Sequence, residues 1–106
     1  MILSNTETVP GYTIVEFKGL VSGNMVQSKH ILKDIVAVLK SIIGGEIKDY
    51  TSMLEGARNL AQNRMLGEAT QLGANAVVNI RFTTSAIMRG MSEILAYGTA
   101  VIVKKN

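Results

Sequence analysis

Apolar and polar positions along this chain switch between two periods, and the switches divide it into five segments. From Tyr12 to Val21, just after the Pro10-Gly11 breaker, β-branched and aromatic residues are mixed in the manner of a strand that Gly23-Asn24 interrupts. A helical period follows, with Ser28 as N-cap, Ile31, Ile35, Val38 and Ile42 on one stripe and Gly44-Gly45 as the stop. A longer helix starts at Asp49 or Ser52, where Ser52 and Glu55 have capping-box spacing. Tyr50, Leu54, Ala57, Ala61, Met65 and Leu72 form its buried face, and Gly73 closes it. Two strands come last, roughly Ala76 to Thr84 and Ser92 to Val103. Arg89-Gly90 lies in their connection, so an antiparallel hairpin with a longish loop is expected. The order β-α-α-β-β predicts an α+β fold, a small antiparallel sheet packed on a long helix, in one domain spanning residues 1–106.

Strand patterning also bears on assembly. Strict alternation in the second strand sets Ala76, Val78, Ile80 and Phe82 against Val77, Asn79, Arg81 and Thr83. In the first strand it sets Thr13, Val15, Phe17, Gly19 and Val21 against Tyr12, Ile14, Glu16, Lys18 and Leu20. In the third strand both sets are apolar: Ile94, Ala96, Ala100 and Ile102 on one face, Leu95, Tyr97, Val101 and Val103 on the other. The helices cover one face of such a sheet, so the other needs a partner, and a second copy of the chain is the simplest. Leu66, projecting from the polar side of the long helix, agrees with that. The alternative is that Leu66 and Val103 are scattered surface hydrophobics, which are common on monomers.

Composition removes several classes of function. Cysteine is absent, which excludes disulfides, thiolate nucleophiles and thiolate metal sites. The first residues, Met1 to Glu7, lack the basic and apolar regions of a signal peptide, and no apolar run reaches membrane-spanning length. A cytoplasmic protein is expected. The net charge of +3 is too small to imply nucleic acid.

One combination of motifs is specific. Thr6-Glu7, Gly11-Tyr12, Val21-x-Gly23, Asp34-Ile35, Gly44-Gly45-Glu46, Tyr50, Ala57-Arg58, Ala61, Gly73-Ala74-Asn75-Ala76-Val77-Val78 and Gly98-Thr99-Ala100-Val101 together resemble the YbjQ-like family. The match runs from about residue 6 to residue 103. These are small bacterial and archaeal proteins that carry a heavy-metal-binding label and no assigned reaction. The resemblance implies a dodecin-like arrangement of subunits in a homopentameric ring, with strands contributing between neighbours, and it transfers no catalytic residue.

Candidate chemistry is sparse. His30 is the single histidine, and it is the one metal-ligand candidate. A closed zinc site wants four ligands, so His30 would need copies around a ring axis; a solvated surface histidine is the simpler account. Met88 and Met91 flank Arg89-Gly90 and offer thioethers suited to Cu(I), although two do not close a site. Arg64 and Glu68 lie near the apolar stripe of the long helix and suggest an i, i+4 ion pair. Their order opposes the helix dipole, which points to a further partner for Arg64. Arg58 sits at the edge of the same face. Lys29, Lys33 and Lys40 make a basic stripe without interleaved aromatics, as an ordinary solvated helix face does. No nucleotide-binding glycine pattern and no nucleophile elbow occurs. The expected function is therefore non-enzymatic: a homo-oligomeric scaffold or small-ligand or ion binder, with metal binding as the alternative. No catalytic residue and no cofactor are expected.

Overall fold

The computed structural model describes residues 1–27, 48–89 and 91–106. The helix expected from Ser28 to the Gly44-Gly45 stop lies outside them. Within them the chain is α+β, with β1 (Ile2–Leu3), β2 (Tyr12–Gln27), α1 (Lys48–Gln71), β3 (Ala76–Met88) and β4 (Met91–Lys105). The sheet has four strands in the order β1-β3-β4-β2. The expected small antiparallel sheet is thus corrected to a mixed one, because β1 adds a short parallel pairing to β3. Two residues are too few to show a period; β1 is held by backbone bonds, the Ile2 amide donating to Asn75 O and the Ser4 amide to Val77 O, each at 3.0 Å, and by Ile2 packing on the sheet. The hairpin of β3 and β4 is present, but its strands run on until Met88 faces Met91, leaving only residues 89–90 as connection.

Helix α1 ends as the sequence predicts, at glycine. Gly73 has φ +79°, its amide donates to Thr70 O at 3.0 Å, and the Ala74 amide donates to Ala69 O at 3.1 Å. This pair of bonds is the Schellman arrangement, which satisfies carbonyls the helix would otherwise leave free. Upstream, Ala57, Ala61, Met65 and Ala69 are buried against the sheet. Three alanines let the helix approach closely, and at Gly23 it touches the strand backbone itself. A Cβ on Gly23 would overlap Ala61 O and Met65 N and lie 2.8 Å from the Arg64 carbonyl carbon. Strand β2 therefore continues through Gly23-Asn24 instead of stopping there, since the glycine serves helix packing and not a turn.

Four register shifts interrupt the ladders, one of them at the hairpin end between Ala86 and Met88, and the other three re-phase the strands over the core. Asn79 has φ +55° between Val78, opposite Thr99, and Arg81, opposite Tyr97. This inserts one extra residue, a β-bulge. Strict alternation therefore fails in β3: Val77 and Ile80 join the core under the helix, whereas Ala76 and Val78 belong to a second cluster on the other side. Shifts between Ile14 and Glu16 and between Phe17 and Gly19 act likewise in β2. Ile14, Phe17 and Leu20 end up opposite Val103, Val101 and Thr99, so these three share one face instead of alternating.

The second cluster corrects the expectation for β4. Val101 and Val103 are buried within the subunit itself, together with Val9, Ala76 and Val78, with Ile2 and Tyr12 packed against them. The N-terminal segment makes this cover. Pro10-Gly11 turn the chain, closed by the Tyr12 amide donating to Val9 O at 3.0 Å, and Val9 then reaches the sheet face opposite α1. Leu66 is also corrected: it is partly buried and packs on the helix–sheet core. No helix among the described residues is long and apolar enough to cross a membrane.

Candidate functional site

The chemistry-bearing feature of this fold is a cleft where β1 ends and β3 runs on. Residues 4–8 leave the sheet edge and fold around the Asn79 bulge. There the Asn79 amide donates to Thr6 O at 3.0 Å and the Ile80 amide to Ser4 O at 3.1 Å. Hydroxyls fix the segment locally, because Ser4 and Thr6 bond each other through their side chains and Thr6 Oγ1 donates to Thr8 O at 2.6 Å. Such local bonds hold a turn where no ladder is available. Between this segment and β3 lies an open cleft of about 380 Å³ lined by Leu3, Ser4, Asn5, Ile80, Arg81 and Phe82. The Arg81 guanidinium spans it: Nη1 donates to Asn5 O at 2.7 Å and to Ile80 O at 3.0 Å.

Sequence reasoning set Arg81 with Val77, Asn79 and Thr83 on one side of the strand but did not find the cleft. Two signals mark it in retrospect. Asn79 stands in a β-branched run and belongs to the few residue types that tolerate the left-handed region, and Ser4-x-Thr6-x-Thr8 is a hydroxyl ladder suited to turns.

The other candidates sort as follows. His30 and Lys29, Lys33 and Lys40 lie outside the described residues. Met88 and Met91 are register partners on adjacent strands, Met88 being exposed and Met91 half-buried. Arg64 does not pair with Glu68; the single ion pair among the described residues joins Lys18 to Glu16 at 2.9 Å. Arg64 has the further partner its position called for, since Nη1 donates to Asn24 O at 2.6 Å. Asn24 Nδ2 in turn donates to Glu93 Oε2 at 3.0 Å. A helix side chain thereby occupies a carbonyl on edge strand β2, one way of blunting an edge. Arg58 is exposed. Among the described residues no three His, Cys, Asp or Glu side chains gather as a metal site would require.

The sequence motifs around these elements match a family model over residues 1–104, described as "Putative heavy-metal-binding". The chain belongs to the YbjQ-like family. It is 63% identical over 101 residues to a UPF0145 protein of Vibrio campbellii, covering 95% of this chain and 97% of that one. A UPF0145 protein of Psychromonas ingrahamii is 62% identical over 105 residues, covering 99% of this chain and all of that one. One from Thermosipho africanus is 57% identical over 106 residues, covering 100% and 98%. The fold is similar to the crystal structure of a DUF74-family protein from Pediococcus pentosaceus, with TM-score 0.62, 17% identity and 98% of each chain covered.

Proposed function

We propose that this YbjQ-like protein is a non-enzymatic cytoplasmic homo-oligomer, a ring of identical subunits that acts as a scaffold or holds a small ligand or ion where subunits meet. The pentameric, dodecin-like form is the one the family resemblance implies. The observation that carries the reading is the sheet face beyond the reach of the N-terminal cover. There Phe17 is 70% and Leu20 78% exposed, with Tyr97 on the neighbouring strand 41% exposed. Large aromatic and aliphatic side chains left side by side on a strand face favour a second copy of the same chain. Beyond Leu3, the outer edge of β3 has no strand beside it among the described residues, and its residues 82–88 carry no charge and no proline, a composition open to pairing with another strand.

Light scattering on the purified chain tests the reading. A multiple of the 11.4 kDa chain mass is expected, five for the ring, and Leu20→Lys lowers it. A parent that scatters as a single chain overturns the proposal.

Heavy-metal binding, the second reading, rests on the family description. The described residues do not fit it. Cysteine is absent, and the soft donors that the register sets side by side, Met88 and Met91, are too few to hold a metal ion alone.

A further inference from the structure

The cleft at the end of β1 has one polar wall and one apolar wall. Arg81 makes the polar one, and its geometry is asymmetric. Both Nη1 hydrogens are committed to main-chain oxygens, Asn5 O across the cleft and Ile80 O beside it. The Nε and Nη2 hydrogens have no acceptor among the described residues, and no described carboxylate pairs with this guanidinium. Nε–H and Nη2–H form the side-on fork of arginine, two parallel donors whose spacing matches the oxygens of a carboxylate. Anchoring through Nη1 has already ordered the side chain, so a ligand meets a preset fork and loses less affinity to side-chain ordering.

Leu3 and Phe82 make the apolar wall; Ile80 borders the cleft but is buried in the helix–sheet core. Leu3 is 38% and Phe82 43% exposed, so both present hydrocarbon to the opening. The volume of about 380 Å³ falls at the lower end of the range for small-molecule sites, about 300–1,000 Å³. A bare oxyanion would use the fork and leave this wall wet.

We infer that the cleft binds a small organic carboxylate, its carboxylate on the Arg81 fork and a ring-sized apolar body against Leu3 and Phe82. Every wall comes from one chain. Because Phe82 also begins the β3 edge open to strand pairing, oligomer mass is measured beside the titration, and binding at unchanged mass is the cleft's own.

Benzoate is a suitable probe, with inorganic phosphate at matched ionic strength as the control. In ¹⁵N spectra of the full chain, the Arg81 Nε–H resonance shifts saturably with benzoate, while those of Arg58 and Arg89 stay in place. Arg81→Lys keeps the charge but loses the fork, and weakens benzoate about tenfold, as loss of a charge-assisted hydrogen bond does. Phe82→Ala leaves Arg81 intact and weakens benzoate several-fold without changing the response to phosphate. Should Arg81→Lys fail to fold, the parent titration and Phe82→Ala decide. An unmoved Arg81 resonance, phosphate binding as tightly as benzoate, or indifference to Phe82→Ala overturns the inference.

Discussion

At the scale of single residues, Asn75 does the work of a strand without being in one. It follows the Gly73 cap, and its side-chain amide reads Val103 on both sides: the Val103 amide donates to Oδ1 at 2.7 Å and Nδ2 donates to Val103 O at 2.9 Å. Its own backbone is also engaged, the amide with Val101 O and the carbonyl with the Ile2 amide. One residue thus couples the end of α1, the start of β3, the inner strand β4 and the N-terminal strand. Asn75→Ala leaves the Val103 amide and carbonyl without partners, and a loss of about 1–3 kcal/mol in urea unfolding is expected. Asn75→Asp should be at least as damaging, because it replaces the donor by an oxygen facing Val103 O. An Asn75→Ala protein as stable as its parent would contradict this role. From the sequence, Asn75 reads only as a second residue able to take the left-handed turn, since a side chain that mimics a backbone leaves no periodic trace.

Between elements, the tightest constraint is the crossing of α1 over β2 at Gly23. The contact is backbone to backbone, so no rotamer change can make room for a Cβ. Gly23→Ala must lift the helix from the sheet and loosen Ala57, Ala61 and Met65, at about 1–3 kcal/mol or more. Calorimetric unfolding checks this; a substitution without effect on the midpoint would mean the helix does not sit there. The long helix, its stop at Gly73, the hairpin and the buried Ala57, Ala61 and Met65 were legible, because each leaves a period or a punctuation mark in the sequence. Leu72, expected on the same face, is 41% exposed, and Ala69 is buried instead. The side-chain phases of β2 and β3 were not. Bulges shift alternation by one residue, and nothing in a hydrophobic pattern announces an extra residue except an odd one such as Asn79. The cleft was hidden for the same reason: it exists because that bulge draws residues 4–8 across the edge of β3. Val101 illustrates the consequence. Its apolar side chain reads as an uncovered face but is sealed by Val9, so a charge placed there probes the subunit's own core and not its assembly.

For the whole molecule, the long sheet leaves two kinds of surface on one subunit. One is covered by the chain's own N-terminal segment, and the other, around Phe17 and Leu20, is open. The proposed assembly concerns only the second. The pairing that builds this sheet also sets an order of events. The turn between β3 and β4 spans two residues, whereas β2 meets β4 with Tyr12 opposite Lys105, at nearly opposite ends of the sequence. A large loop must close before that ladder gives any stabilisation, and chains rich in such distant pairings fold on a scale of about milliseconds to seconds. Stopped-flow refolding should therefore show a concentration-independent phase in that range preceding any assembly; completion within microseconds would exclude it. During that interval the hairpin waits with both flanks bare, β2 not yet on one side and β1 not yet on the other. A newly made chain is thus most exposed to mispairing before its first strands have returned to its last.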